Sequence, residues 1–189
     1  MSQKLFKLVL NFIAFYLFLA TVEAIQYDFV VENEEVFTPC DDFPDNYIDK
    51  YFDISDLSFV REDDRVKVTG DMKLTHEFQS DVPIQLDAQV YKRSRGEWVD
   101  TIYNIRRNNF CPQLYNENEL WYAITRVVPN EDRKCPPPPG FTLKFDSVFG
   151  LSYDLQDRSA DGDYKLTVKM GQGTDIMCFE IEASVYKSE

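Results

Sequence analysis

Histidine occurs once in this 189-residue chain, cysteine four times and glycine seven times, and positive charge is scarce: 20 Lys and Arg face 33 Asp and Glu, a formal net charge of −13. Each scarcity removes a class of function. With His76 the sole imidazole, any Ser-His-Asp or Cys-His relay must run through that residue. No G-x-S-x-G elbow, phosphate-cradling glycine loop or H-E-x-x-H pair occurs. Cys40, Cys111, Cys135 and Cys178 stand singly, without a C-x-x-C pair, so the usual zinc spacings are missing. Asp41-Asp42, Glu62-Asp63-Asp64 and Asp161-Gly162-Asp163 lack the D-x-[DN]-x-[DN]-G order of calcium loops and read as solvated turns. No metal and no cofactor is expected. An acidic surface repels phosphate backbones and anionic bilayers, which argues against nucleic acid as a partner. Asn-x-Ser/Thr is absent, so no N-glycan is expected.

What is present is a foldable composition. Hydrophobic residues reach 44% and aromatics 15%, above the level of disordered acidic segments. Residues 1–24 read as a secretory signal: Lys4 and Lys7 lead into the apolar run Leu8 to Ala20, and Val22-Glu23-Ala24 offers a small-x-small cleavage site. That run falls short of the roughly 20 residues a spanning helix needs, and no later segment is long enough. Cleavage after Ala24 would remove two lysines and one glutamate, deepening the acidic excess by one charge. Residues 25–189 show no internal repeat and no linker, and are expected to form one domain in a secreted, extracellular protein. An even cysteine count behind a leader predicts two disulfides in an oxidising compartment, with three connectivities open.

Period-two alternation is the dominant pattern. Val66, Val68, Gly70, Met72, Leu74, His76 and Phe78 share one parity, with Lys67, Thr69, Asp71, Lys73, Thr75, Glu77 and Gln79 on the other, which predicts a half-buried strand with a bend near Gly70. Ser80-Asp81-Val82-Pro83 interrupts, then Ile84, Leu86, Ala88 and Val90 resume as the second arm of an antiparallel hairpin. A turn at Arg93 to Glu97 leads into Trp98 to Ile105. Tyr164, Leu166, Val168 and Met170 alternate again, Gly171-Gln172-Gly173 turns the chain, and Met177, Phe179, Ile181, Ala183 and Val185 form the closing strand. Phe141 to Phe145 and the stretch from Tyr27 to Phe37 add two more. The expected fold is all-β, a β-sandwich or a barrel, with an immunoglobulin-like antiparallel β-sandwich that leaves room for an apolar cavity between its sheets as the leading expectation. One helix is predicted over 117–128, where an Asn116-x-x-Glu119 capping box precedes Leu120, Trp121, Ile124, Val127 and Val128, and Pro129 stops it. Pro136 to Pro139 is a stiff surface stretch.

Gly162-Asp163-Tyr164-Lys165-Leu166, the glycine turn and Met177-Cys178-Phe179-Glu180-Ile181-Glu182-Ala183-Ser184 together resemble the closing hairpin of ganglioside activator proteins, members of the ML-type lipid-recognition β-sandwiches. The Asn109-Phe110-Cys111 and Cys135-Pro136 motifs, with the leader, look still more like arthropod CheB-type chemosensory proteins, a group itself similar to ganglioside activators. The resemblance covers roughly Phe110 to Lys187. It implies that Cys40 pairs with Cys178 and Cys111 with Cys135, and that the chain carries a lipid or pheromone-like molecule in contact chemosensation. A membrane receptor or channel is a further implied partner, and the chain is expected to be a monomer.

For such a ligand the candidate wall is the dry face of the strands: Met72, Leu74, Phe78, Leu86, Leu166, Val168, Phe179 and Ile181. Two sheets packed about 10 Å apart leave no room for a guest, so a pocket requires them to splay. His76, between Leu74 and Phe78, reads as a hydrogen-bonded core residue first, a polar anchor for a head group second and a catalytic base last. Trp121 on the predicted helix reads as a rim contact. Two competitors remain: an extracellular recognition or receptor-accessory module with a filled core, and a hydrolase using His76.

Overall fold

The alternating segments assemble into two antiparallel sheets. The structure, a computed structural model, describes residues 25–31, 36–62, 65–149, 151–155 and 159–188; the predicted leader lies outside them. Its strands are β1 (Ile25–Val31), β2 (Thr38–Pro39), β3 (Phe52–Asp53), β4 (Ser58–Glu62), β5 (Arg65–Leu74), β6 (Gln85–Ser94), β7 (Glu97–Arg107), β8 (Thr142–Phe149), β9 (Leu151–Leu155), β10 (Gly162–Gln172) and β11 (Asp175–Lys187). The larger sheet runs β7-β6-β10-β11-β1-β9, with β2 also on β11, and the smaller places β3, β4 and β8 on β5. The two sheets pack as a sandwich.

The glycines of β5 and β10 let backbones touch where a side chain would not fit. Gly70 has φ +113°, and a Cβ there would lie 2.1 Å from the Asp56 carbonyl oxygen; the Asp71 N–H donates to the Asp56 carboxylate at 3.0 Å. Gly171 faces the Asp175 carbonyl oxygen in the same way, at 2.0 Å from a built Cβ. Arg95 (φ 54°) and Gly96 (φ 90°) close the β6–β7 turn, the left-handed pair that matches the twist of a two-residue hairpin.

The main core spans both layers. Val66, Val68, Met72 and Leu74 of β5 and Phe145 of β8 meet Leu86 of β6 and Met177 of β11, with Phe52, Phe78 and Phe110 filling between. A second, smaller cluster joins Tyr27, Ala160 and Val185, with Tyr164 packed against it. Cys40–Cys178 and Cys111–Cys135 are both bonded, with Cα atoms 5.7 and 5.3 Å apart, the pairing that the resemblance implies.

Three sequence expectations need correction. The strand predicted through Phe78 ends at Leu74, because the amide hydrogens of Thr75 and His76 turn onto the Tyr51 carbonyl. The predicted hairpin across Ser80–Pro83 does not form: β5 and β6 lie in different sheets, so residues 75–84 cross from one layer to the other. The helix predicted over 117–128 shrinks to a single turn, α1 (Tyr122–Thr125). Its capping box fails because the Arg107 guanidinium captures the Glu119 carboxylate at 2.9 Å, while Asn116 Oδ1 accepts from the Asn118 N–H at 3.0 Å. The Thr125 hydroxyl donates to the Leu114 carbonyl, and Leu120 is left 73% exposed.

Candidate functional site

Register places apolar side chains in rows across the three central strands of the large sheet. Val90, Leu166 and Ile181 face one another in one row, Ala88, Val168 and Phe179 in the next, and Leu86, Met170 and Met177 in the third. The third row sits in the main core. Moving along the strands, Val90 and Leu166 of the first row belong to neither cluster, Ile181 packs at the margin of the main core, and all three keep part of their surface open, as do Val168, Met170, Phe179 and Ala183. A band of apolar surface therefore lies between the two cores.

The opposite face of these strands carries the polar parity, and its centre is buried as well. Lys165 and Glu180 are each only 8% exposed, with Thr167 and Cys178 also buried. Lys165 Nζ lies 3.1 Å from Glu180 Oε2, and the Thr167 hydroxyl donates to Glu180 Oε1 at 2.9 Å. The ammonium also stands over the Tyr91 and Trp98 rings, at 5.8 and 5.4 Å from their centroids. Burial, followed by the Asp100 charge, pushes the Tyr91 phenol above its usual range. A charged pair excluded from water on one side and aliphatic side chains partly wetted on the other reverse the ordinary arrangement of a sandwich sheet.

The residues predicted to line a ligand divide into groups. Met72, Leu74, Phe78 and Leu86 are buried members of the main core. Val168, Phe179 and Ile181 pack against it while retaining accessible surface, and Leu166 stands in the open row. Trp121 is held inward: its ring N–H donates to the Gln113 carbonyl at 2.9 Å, and its ring meets Phe110 edge-on at 5.0 Å. Val90 and Ala183 complete the open band and were absent from the predicted wall, although their parity in the alternation marks them as inward.

His76 lies in the crossing loop, not on a strand. Its ring stacks on Tyr51 at 4.1 Å and meets Phe78 edge-on at 4.8 Å, and Nε2 is 3.6 Å from the Asp175 carboxylate. Lys50 Nζ approaches the other Asp175 oxygen at 2.6 Å. The Tyr51 hydroxyl donates to the Asp175 backbone carbonyl, and burial, with the Asp175 charge adding, pushes this phenol above its usual range. Next to it the Gln172 side chain accepts from the Gln79 N–H at 2.8 Å and donates to the Gln79 and Val82 carbonyls. The group ties the β10–β11 turn to the crossing loop. Lys50, Tyr51 and Asp175 escape sequence reasoning because nothing local links residues more than 120 positions apart in the chain.

The bond from Lys50 holds the Asp175 carboxyl below its ordinary value against the opposing effect of burial, with the charges of Lys50 and His76 adding. A carboxyl depressed in the fold stabilises it above the unfolded value, near 3.9, and loses that contribution as pH falls through the lower folded value. Asp175→Asn is expected to lower the melting temperature at neutral pH by about 1–3 °C, the scale of a partly exposed and screened pair. The gap to the parent should close as acid protonates Asp175, which paired thermal scans between neutral and acid pH would check.

Among the described residues, no group of three or more His, Cys, Asp or Glu is placed to hold a metal ion, and no helix is long and apolar enough to cross a membrane. No protein-family model matches the chain, and no curated protein matches it in sequence. Fold and face together describe a doubly disulfide-bonded antiparallel sandwich whose large sheet leaves a band of its apolar side partly accessible.

Proposed function

We propose that the chain is an extracellular, non-enzymatic binder of a hydrophobic molecule, held against the open band of the large sheet. The observation that carries this reading is the row Val90–Leu166–Ile181, aligned across three strands, with Val90 and Leu166 outside both cores, Ile181 at the margin of one, and all three still partly accessible. A packed sandwich closes such a row, since interiors fill to crystal-like density. Apolar area left accessible gains roughly 25 cal/mol per Å² when a guest covers it, so binding needs no chemistry. Two disulfides fit an oxidising compartment. The resemblance of the C-terminal hairpin and the Cys111 and Cys135 motifs to CheB-type chemosensory proteins supports a lipid or pheromone-like ligand, a role in contact chemosensation, and delivery by a monomer to a membrane receptor or channel.

An environment-sensitive apolar dye, N-phenyl-1-naphthylamine, provides the test. The parent protein is expected to take it up saturably. Ile181→Lys places an ammonium at the β11 end of the row and should weaken uptake about tenfold or more, a cost of about 1.4 kcal/mol, with the β-sheet circular dichroism retained. Dye uptake unaffected by Ile181→Lys, or no uptake by the parent, would overturn the reading in favour of a recognition module with a filled core.

A further inference from the structure

We propose a second binding site, for an amphipathic monocarboxylate such as a medium-chain fatty acid, in the cleft between residues 127–134 and 138–144. The cleft has a volume of about 570 Å³, within the range of small-molecule sites. It lies beyond α1, away from the central rows of the large sheet.

Its lining combines two chemistries. Val127, Pro138, Pro139 and Phe141 supply an apolar wall, and Val127 is 57% exposed, a large aliphatic surface that no neighbouring side chain covers. Lys134 and Lys144 stand on the lining with Asp132, so the local balance is positive on a chain whose formal net charge is −13. Among the described residues neither lysine has an acidic partner, whereas Lys50, Lys67 and Lys165 do. An apolar wall beside two unpaired ammonium groups suits a ligand with an aliphatic body and one anionic end. Inorganic phosphate would leave the apolar wall unused, and a cationic amphiphile would meet like charge.

Both walls are fixed before any ligand arrives. On one side Arg133 folds back, donating from Nε to the Val128 carbonyl at 3.0 Å and from Nη2 to the Arg126 carbonyl at 3.3 Å, and its guanidinium lies over the Tyr115 ring. The Cys111–Cys135 bridge anchors the end of this segment. On the other side the Gly140 N–H donates to the Leu74 carbonyl at 2.7 Å and the Leu74 N–H to the Phe141 carbonyl at 2.8 Å, fastening the turn to the end of β5. A preformed cleft spares a ligand the cost of ordering its walls.

Methyl NMR of Val127 and Val128 reads occupancy at this place alone. Decanoate is expected to shift those signals saturably, decanol more weakly, and decyltrimethylammonium not at all. The double charge reversal Lys134→Glu/Lys144→Glu should weaken the decanoate response about tenfold or more, and added salt should weaken it in the parent. Ile181→Lys should leave the response unchanged, so failure of the sheet-face reading and failure of this one are separable. Signals that stay still with decanoate, that move equally for the cationic analogue, or that respond unchanged after the charge reversal would overturn the proposal.

Discussion

Replacing Cys40 and Cys178 together by alanine is expected to remove about 5 kcal/mol of stability, against about 3.4 kcal/mol for the same change at Cys111 and Cys135. The difference follows from sequence separation: the first bridge joins residues 138 positions apart and the second 24, and in the chain-entropy account the unfolded chain gains more freedom from losing the longer loop. Local structure points the same way. Cys40 and Cys178 are almost fully buried, and their bond adjoins the short β2–β11 pairing, where the Thr38 hydroxyl donates to the Glu180 carbonyl. The second bridge instead closes a loop already held by the Trp121, Thr125 and Arg133 side chains. Denaturant unfolding of the two double variants checks the order, and a smaller loss at Cys40/Cys178 would contradict it.

Glu180→Leu is expected to cost about 4 kcal/mol, because the Lys165 ammonium would stay buried without its carboxylate and the Thr167 hydroxyl would lose its acceptor. The companion change Lys165→Met should recover most of that loss, since two apolar side chains of similar volume leave no stranded charge among Tyr91, Trp98 and Thr167. Comparing the two single variants with the double one isolates the pair. A double variant as unstable as Glu180→Leu would show that packing, and not the missing partner, sets the cost.

Local pattern was readable and pairing was not. β5, β6, β10 and β11 stand where alternation places them, because parity alone decides which side of a strand is apolar. Whether two successive strands pair is settled elsewhere. Ser80 to Pro83 has the look of a hairpin turn, yet β6 finds β10, a partner over seventy residues on, and the intervening loop changes layer. The helix was overread for a similar reason: Glu119 suits a capping box locally, but Arg107, brought near by β7, binds its carboxylate more directly. Alternation also fails to say how well each side is covered. Lys165, Thr167 and Glu180 read as wet, and they are dry because Tyr91 and Trp98 arrive from two neighbouring strands. Of the candidate ligand face, Leu166, Val168, Phe179 and Ile181 were legible through parity; their partial openness was not, because alternation carries no information on what packs against each side.

The clasp formed by Gln172, Asp175 and His76 fastens the crossing loop between the layers to the end where β10 turns into β11, whereas the partly open aliphatic row begins some six residues further along those strands. A spine bound at one margin lets the pages part at the other. Thermal spreading of the sandwich should therefore be least beside the clasp and grow toward Leu166 and Ile181.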